Sequence, residues 1–460
     1  MHLRPVALAV AAMLAGCAVG PTYQRPSAPT SATYKEARDW VVAAPADALD
    51  RGPWWTLFGD PVLDELERRV EVSNQNVAAA VAAYSGAQAS VREQRASLFP
   101  AVMLNGGASR SGGGGNTPSA SHYQVGIGGS WEPDVWGRLR RGVESASASA
   151  QASAADLASA KLSAQGELAA DYIGLRQTDA QQALLADTIA GYERALQITQ
   201  NRYAAGVVAK TDVLQAQTQL ANAQADRVGL TRQRAQFEHA IAVLVGEAPG
   251  NFTLAVAPWK FSVPEVPVGV PSTLLQRRPD IAATERRVAA ANEQIGIARA
   301  AYFPSFGLSA SYGFGASRVA DLFSASTAVW SLGLQAAQTL FNAGATRERV
   351  AGARAAQEEA TARYRQTVLA AFQDVEDQLA ATRVLVEQYE LRRQASEAAD
   401  QVEQQVLNRY RAGQVSFSEV VIAQATALSA RRSLVQLAAD RQSTAVALIQ
   451  ALGGGWAASQ

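Results

Sequence analysis

Few residues of this chain could carry out catalytic or metal chemistry. The three histidines, His2, His122 and His239, are far apart, and there is one cysteine. Enzymes and metal centres need such side chains in clusters, either as a nucleophile beside a base or as closely spaced ligands. A glycine-rich phosphate loop is also missing from the sequence. We therefore predict neither an enzyme nor a metal site, and a lone cysteine excludes a disulfide framework.

The charge balance limits the class of partner. The chain has 41 Lys+Arg and 41 Asp+Glu, so its formal net charge is zero. Proteins that bind nucleic acid usually carry an excess of basic residues, because they neutralise phosphates. The composition therefore gives no support to a nucleic-acid partner.

The one cysteine, Cys17, ends a segment with the composition of a secretory signal. The apolar run at residues 6–14 is too short to span a bilayer. The Leu-Ala-Gly-Cys sequence at 14–17 resembles the bacterial lipobox, in which the cysteine carries a covalent diacylglycerol and an N-acyl lipid. Ala18 follows, which in lipoproteins favours delivery to the outer membrane. We predict a lipoprotein signal peptide at 1–16 and a lipid anchor on Cys17; the alternative is an ordinary cleavage site beside a chance cysteine.

The chain is internally duplicated. Moving residues 135–246 forward by 207 positions places Asn201-Arg202-Tyr203 on Asn408-Arg409-Tyr410, Ala205-Gly206 on Ala412-Gly413 and Gly137 on Gly344. Further upstream the offset is 204, which places Arg95, Phe99 and Pro100 on Arg299, Phe303 and Pro304. Insertions in repeat proteins map to loops, and the change of offset falls in a stretch of predicted strands and loops. We expect two copies of one unit.

Each copy contains segments with the alternation of β-strands. The apolar residues of these segments are Tyr123, Val125, Ile127 and Trp131, then Phe306, Leu308, Ala310, Tyr312 and Phe314, then Trp330, Leu332 and Leu334. The residues between them are small or polar, among them Ser305, Ser309, Ser331 and Gln335. Strands of this kind, with aromatic residues near their ends, are typical of a transmembrane barrel with a wet lumen. The alternative is a soluble hairpin packed on a core.

Long helices precede and follow the strands. The apolar spacing predicts a helix over 61–97, and residues 138–203 and 345–410 contain no proline. At 1.5 Å per residue, a helix of about 65 residues is about 100 Å long. Each long helix ends in Arg-Tyr-x-Ala-Gly, where glycine suits a left-handed C-cap. Returning helices are predicted at 212–245 and 417–452, so each copy forms a helical hairpin that packs as a coiled coil.

Three motifs carry a resemblance to a known family. They are Gly20-Pro21-x-Tyr23-x-x-Pro26, Trp54-Trp55-x-x-Phe58-x-Asp60-Pro61, and Leu274-Leu275-x-x-Arg278-Pro279-Asp280-Ile281 with Glu285 beyond. In this order and spacing the chain resembles outer-membrane efflux proteins of the TolC/OprM type, in the NodT-like lipoprotein branch that serves tripartite pumps of the resistance-nodulation-division (RND) class. The resemblance covers essentially the whole mature chain. Thr284 stands where the family usually has alanine.

The resemblance implies the fold and the partners. The fold is mainly α with a membrane β-sheet: a homotrimer in which four strands per subunit form a twelve-stranded barrel, continued by a long helical coiled-coil tunnel into the periplasm. The tips meet a periplasmic adaptor (membrane fusion protein) and, through it, an inner-membrane RND transporter. Oligomerisation is also required on physical grounds, because four strands cannot close a barrel and open edges are not tolerated in lipid.

The implied organisation follows the duplication. Residues 17–75 form an N-terminal extended segment and the start of the equatorial region, and 76–248 form the first repeat. A linker occupies 249–271, and 272–455 form the second repeat. Proline at a helix start and Asp280 in its first turn suit capping and the helix dipole, so Arg278, Pro279 and Asp280 are predicted to be structural.

The resemblance also implies residues that close the periplasmic tip. Asp212 and Tyr410 match an aspartate–tyrosine pair between the two hairpins, and Glu419 matches the first of two acidic rings. Ile422 stands where the family commonly has the second acid, and Val415 replaces a commonly basic residue. Tyr203 and Arg409 belong to the same turns. The alternatives are turn packing for both tyrosines and a solvated helix face for Glu419.

The predicted function is passive: an outer-membrane exit duct that passes drugs or other small molecules from the adaptor and transporter to the exterior. Two alternatives remain open at this stage. The same fold could serve type I protein secretion with an ABC exporter, or the chain could be a lipid-anchored coiled-coil scaffold. The sequence does not identify the substrate.

Overall fold

Helices and strands follow the duplication along the chain. In this computed structural model α1 (Pro61–Ser73) precedes the first repeat, which contains α2 (Gln75–Ala96), β1 (Ala101–Ser111), β2 (Ala120–Trp131), α3 (Arg138–Ala204) and α4 (Lys210–Leu244). The second contains α5 (Pro279–Ala300), β3 (Ser305–Ala316), β4 (Ala328–Ala337), α6 (Ala345–Arg411) and α7 (Phe417–Ala451). Within the described residues, no helix combines the length and the apolar character needed to span a membrane.

The structure describes residues 19–29, 31, 33–37, 53–112, 119–259, 261–264, 266 and 278–454. The predicted signal peptide, Cys17, Leu274-Leu275 and part of the predicted linker lie outside the described residues. The chain divides into two units, each described here by itself. Unit 1 comprises 1–28, 82–154 and 282–367, and unit 2 comprises 29–81, 155–281 and 368–460.

The sheet of unit 1 is antiparallel, in the order β1-β2-β3-β4. Its register aligns Leu104, Ile127, Tyr312 and Trp330 in one row across the four strands. Each of these side chains is at least 55% exposed. The neighbouring row on the opposite face holds Gly128, Ser311 and Ser331 beside Met103, and the hydroxyls of Ser311 and Ser331 lie 2.8 Å apart. The predicted alternation therefore places an exposed apolar face on one side and a polar face on the other, as a lipid-facing strand requires.

A glycine pair on the polar face allows β2 and β3 to approach closely. Gly126 and Gly313 are directly opposite each other. A Cβ atom on Gly313 would lie 2.6 Å from the Val125 carbonyl oxygen and 2.8 Å from the Gly126 Cα. A side chain at Gly313 would clash with the backbone of β2, so glycine is needed for this close approach of the two strands.

One predicted helix is interrupted. The segment 61–97 forms two helices because Asn74 adopts an extended conformation, with φ −66° and ψ 124°. The Asn74 carboxamide oxygen accepts hydrogen bonds from the N–H groups of Asn76 and Val77, at 2.9 and 3.1 Å. This is an N-cap for α2, and a capping asparagine competes with helix continuation.

Candidate functional site

The helical hairpins of unit 2 end in turns that are identical in both repeats. In the first turn, Val207 N–H bonds the Arg202 carbonyl and Gly206 N–H bonds that of Tyr203, both at 2.9 Å. The second turn repeats these bonds from Gln414 to Arg409 and from Gly413 to Tyr410, also at 2.9 Å. Gly206 and Gly413 have φ values of 72° and 73°. These are Schellman motifs, in which glycine takes the left-handed position after the helix.

The two tip tyrosines have different environments despite their identical turns. Tyr203 is 45% exposed, whereas Tyr410 is 2% exposed and belongs to a cluster with Ala195, Ala216, Phe417 and Val420. The ring of Tyr410 packs edge-on against Phe417, with centroids 5.3 Å apart. Since the cluster draws on α3, α4, α6 and α7, Tyr410 joins the first hairpin to the second.

Two polar contacts from α3 hold Tyr410. Its hydroxyl lies 3.2 Å from Thr199 Oγ1. The Arg202 guanidinium donates to the Tyr410 carbonyl oxygen at 2.6 Å and lies 4.6 Å above the tyrosine ring. A cation over an aromatic face adds an attraction of about 0.5–2 kcal/mol. These contacts are the ones expected to separate if the hairpins part.

In the described structure of one subunit, no hydrogen bond joins Asp212 to Tyr410. Asp212 is half-buried in the first turn of α4, and its N–H bonds the Ala209 carbonyl at 3.1 Å. The side-chain hydrogen bond of Tyr410 in the described structure goes to Thr199 instead. The packing of the Tyr410 ring places its hydroxyl beside Thr199 on α3, and a buried hydroxyl bonds the polar group that lies nearest.

Glu419 and Arg409 are exposed at the same tip. The Glu419 carboxylate accepts a hydrogen bond from the Ser416 N–H at 3.4 Å, which is the glutamate half of a capping box at the start of α7. Arg409 lies in the last turn of α6, where a basic residue interacts favourably with the helix dipole. Both residues therefore have a structural role within the subunit and still present their charge to solvent.

A groove between the returning helices α4 and α7 lies next to the tip. Its volume is about 810 Å³, and it is lined by Leu214 and Ile422, which are 50% and 67% exposed. Asp226 and Arg432 form an ion pair within it, with an N–O distance of 2.9 Å. The position at which the resemblance implies a second acidic ring thus presents an exposed apolar side chain.

The Arg278-Pro279-Asp280 motif connects three segments of unit 2. The Arg278 guanidinium pairs with Asp280 at 2.7 Å and with Asp374 of α6 at 3.1 Å, and it donates to the Ala451 carbonyl at 3.2 Å. It is 13% exposed. A carbonyl in the last turn of a helix has no partner within the helix, so Arg278 satisfies the end of α7. These contacts support the structural interpretation of the motif.

The duplication extends to this contact. The offset of 204 places Asn74 on Arg278, and the offset of 207 places Leu244 on Ala451. The Asn74 amide donates to the Leu244 carbonyl at 2.8 Å, the same contact made by Arg278 at the end of α7. In each repeat, the last carbonyl of the returning helix therefore accepts a hydrogen bond from the residue that directly precedes the repeat's first helix.

A buried carboxyl group lies on α1. Glu67 is fully buried, and neither of its carboxyl oxygens has a hydrogen-bond partner in the described structure. Burial, together with the negative charges of Glu71 and Asp64, raises the pKa of Glu67 to about 9. A folded chain therefore holds this carboxyl protonated at neutral pH.

Glu67→Gln is expected to reduce the dependence of stability on pH. Between the ordinary pKa of about 4.5 and about 9, the folded chain binds one more proton than the unfolded chain. The free energy of unfolding then falls as pH rises, by up to about 1.4 kcal/mol per pH unit and subunit. We expect the melting temperature of Glu67→Gln to exceed that of the wild type at pH 8 and the difference to shrink at pH 5. Glu65→Gln, on the exposed side of α1, is the control, and an equal gain there would contradict the prediction.

The segment that follows Cys17 is held against unit 1. Val19 N–H bonds the Trp136 carbonyl at 3.1 Å. The Pro21 carbonyl accepts from Arg141 at 3.3 Å and from Asn292 at 3.2 Å. The Tyr23 hydroxyl donates to Glu285. The Gly-Pro-x-Tyr motif is thus a set of attachment points between this segment and helices α3 and α5.

The profile of the family described as "outer membrane efflux protein" matches residues 67–247 and 270–454. The chain belongs to this family. Glu285, Arg278 and the duplicated turns therefore lie within an outer membrane efflux protein, and the predicted family is confirmed.

Individual relatives are similar over nearly the whole chain. The probable efflux pump outer membrane protein TtgC of Pseudomonas putida is 32% identical over 98% of this chain and 95% of its own length. The pyoverdine export outer membrane protein OpmQ of Pseudomonas aeruginosa is 33% identical over 99% of this chain and 98% of its own length. The solved structure of the outer-membrane channel OprN has a TM-score of 0.88 at 31% identity, covering 96% of this chain and all of that one.

These likenesses confirm the predicted fold class and function. The efflux protein is a mainly helical subunit of an outer-membrane channel that contributes one four-stranded sheet, and it is the exit duct of a tripartite efflux pump. It is a channel and not an enzyme. Within the described residues, no group of three or more His, Cys, Asp or Glu side chains could hold a metal ion.

Thr199 and Arg202 are partners of Tyr410 that the sequence alone did not predict. The duplication does indicate that Arg202 matters, because the same residue recurs as Arg409 beside the second tyrosine. Thr199 has no such signal, since the equivalent residue is Val406. Only the packing of α3 against α6 identifies it as the partner of Tyr410.

Proposed function

We propose that the duct is a homotrimer anchored in the outer membrane by lipid on Cys17, with tips that bind a periplasmic adaptor and, through it, an RND transporter. The observation that supports the trimer most strongly is the open sheet. β1 and β4 are both edge strands with exposed apolar side chains. Unpaired strand edges are excluded from the hydrocarbon, so the edges of neighbouring copies must pair, and the family resemblance sets the number at three copies and twelve strands.

The position of Val19 supports the lipid anchor. Its N–H bonds the carbonyl of Trp136, which lies five residues after the end of β2 and stacks on Phe303, with ring centroids 4.7 Å apart. Aromatic residues at the end of a membrane strand are typical of the membrane interface. Cys17 is two residues before Val19, a reach of about 7 Å at most. Acyl chains on Cys17 therefore enter the membrane beside the strands.

Cys17→Ser is expected to abolish lipidation. Cells grown with an alkyne palmitate analogue should label the wild-type protein and leave the variant unlabelled, because the thiol is the acceptor. The intact mass of the wild type should match a chain that begins at residue 17 and carries acyl groups. Ala18→Ser, which retains the thiol, is the control and should label normally. A labelled Cys17→Ser variant, or an unmodified mature wild type, contradicts the anchor.

The tips of the hairpins are proposed both to close the duct and to bind the periplasmic adaptor. Tyr410, Thr199 and Arg202 join the hairpins within a subunit, and exposed Arg409 and Glu419 are available to an adaptor or to neighbouring subunits. Asp212, in the first turn of α4, remains a proposed closure residue between the two hairpins. Ile422 adds an apolar constriction in place of a second acidic ring. Separation of the hairpins by the adaptor then opens the duct.

The substrates are proposed to be small organic molecules. Among the relatives, OpmQ is a pyoverdine export protein, and a 32% identical TtgC is a toluene efflux pump protein. The sheet's polar face of glycine and serine would reject few molecules, so selectivity lies mainly in the transporter.

Drug accumulation in a deletion strain tests the duct function. Loss of the chain should raise intracellular accumulation of a fluorescent efflux substrate, because expelled molecules lack an exit. Restoration of the gene should reverse this, and so should its Arg349→Gln variant, whose substitution lies on an exposed part of α6. Unchanged accumulation of a panel of dyes and antibiotics, with impaired secretion of a protein, would favour the type I alternative.

A further inference from the structure

A basic groove lies in unit 1, where the helices join the sheet. Its volume is about 610 Å³, and its lining includes Arg299, Arg347 and Arg354 together with Tyr302, Phe303 and Val19. We propose that this groove binds the phosphodiester headgroup of an anionic phospholipid in the inner leaflet of the outer membrane. The inference rests on the outer-membrane location of the duct and is independent of lipidation at Cys17.

The arginines come from two helices and converge on one space. Arg347 and Arg354 are seven residues apart on α6, which places them on one face of the helix on either side of Val350 and Ala351. Arg299 is in the last turn of α5. Guanidinium groups bind phosphate oxygens through paired N–H donors, and three of them around one cavity exceed what a single anion requires.

The charge in the groove is largely uncompensated. Arg347 has only an exposed ion pair with Glu348, at 3.7 Å, and such pairs are weak. In the part of the chain that the structure describes, Arg299 and Arg354 have no ion-pair partner. The carboxyl group of Glu293, on the same helix as Arg299, is already engaged by Arg141. The positive charge of the groove therefore attracts an anion that is not part of this chain.

The position of the groove indicates a lipid and not a soluble anion. All four strands meet their helices at the same end of the sheet, and Tyr302 and Phe303 immediately precede β3 there. The Trp131 indole N–H at this end bonds the Leu98 carbonyl at 2.9 Å, and the Trp136 indole N–H bonds that of Pro304 at 2.6 Å. Tryptophan and tyrosine at the end of apolar strands mark the headgroup level of a bilayer.

The lining suits the whole headgroup region of a lipid. The arginines would take the phosphodiester, while Tyr302, Phe303 and Val350 offer apolar surface to the first carbons of the acyl chains. Basic pockets at the interface gain about 1 kcal/mol per Lys or Arg, which converts to about fivefold in affinity for each arginine.

Native mass spectrometry of the purified full-length protein tests the proposal. The protein is mixed in detergent with phosphatidylglycerol or with phosphatidylcholine of the same acyl chains, and retained lipid is counted. We expect the wild type to retain phosphatidylglycerol preferentially, and Arg299→Gln/Arg354→Gln to reduce that retention at least about tenfold. The control is the double variant Arg95→Gln/Arg349→Gln, which removes two positive charges outside the groove. Arg95 is the equivalent of Arg299 in the first repeat, and Arg349 lies on α6. This control should retain the lipid as the wild type does.

Three results would overturn the proposal. Equal retention of the two lipids by the wild type is the first, and equal loss in both double variants is the second. Displacement of phosphatidylglycerol by millimolar inorganic phosphate is the third, because it would assign the groove to a free anion. Dye accumulation in the deletion strain separates this inference from the duct: restored efflux by a protein without a lipid preference leaves the exit duct intact, whereas accumulation unchanged by the deletion contradicts the duct itself.

Discussion

Tyr410→Ala is expected to produce a leaking duct. The substitution removes a fully packed ring from the cluster that joins the two hairpins, together with its contacts to Thr199 and Arg202. Loss of a buried aromatic side chain costs about 3–5 kcal/mol. Since about 1.4 kcal/mol is a factor of ten, the population of the closed tip relative to the open tip should fall by about two to three orders of magnitude. Single-channel conductance should rise, and cells should become sensitive to vancomycin, which does not normally cross the outer membrane.

The duplication supplies the control for this experiment. Tyr203→Ala makes the same substitution in an identical turn, but Tyr203 is 45% exposed and lies outside the cluster. We expect its conductance and vancomycin sensitivity to stay near those of the wild type. Tyr410→Phe keeps the ring and loses only the bond to Thr199, about 1 kcal/mol, and should be intermediate. Equal leakage from Tyr203→Ala, or wild-type conductance in Tyr410→Ala, would contradict the assignment.

Arg278→Ala is expected to weaken the folded subunit. Arg278 is the one side chain of its motif that contacts the start of α5, α6 and the end of α7. Its removal leaves the Ala451 carbonyl and the Asp280 carboxylate without their cationic partner. After allowance for the exposure of Asp374, we expect a loss of about 2–3 kcal/mol per subunit. The melting temperature of the assembled protein and its amount in the outer membrane should both fall.

Two further variants separate this effect from a simple loss of charge. Arg349→Ala removes an arginine from an exposed part of α6 and should leave the melting temperature unchanged. Asn74→Ala removes the equivalent bond, to Leu244, from the first repeat and should also destabilise the subunit. Lysine at 278 keeps the charge without the planar fork and should restore only part of the stability. A wild-type melting temperature for Arg278→Ala would show that the repeat ends are held by other contacts.

The sequence was most informative where a local signal sets the structure. Alternation of apolar and small residues predicted which side chains share a face of the sheet, since strand geometry has a period of two. The glycine after each Arg-Tyr-x-Ala predicted the left-handed turn, because few other residues tolerate it. The exposure of the apolar face then excluded the soluble hairpin alternative.

The sequence was least informative where two helices meet. Tyr203 and Tyr410 share the Asn-Arg-Tyr-x-Ala-Gly turn sequence, so the turn alone does not predict their difference in burial. The difference follows from packing and from one polar residue: Thr199 can bond Tyr410, whereas Val406, its equivalent, cannot bond Tyr203. The break at Asn74 was missed for a related reason, because the apolar period continues through it while the side chain caps the next helix.

In-cell crosslinking from the hairpin tips tests whether they bind the periplasmic adaptor of an efflux pump. A photoreactive residue replaces Val207 or Gln414, which are exposed and equivalent in the two repeats, and the captured proteins are identified. We expect capture of a periplasmic adaptor that partners an RND transporter, from at least one tip. Capture of an adaptor that belongs to an ABC exporter would move the function to secretion, and capture of this chain alone would contradict the docking of the tips.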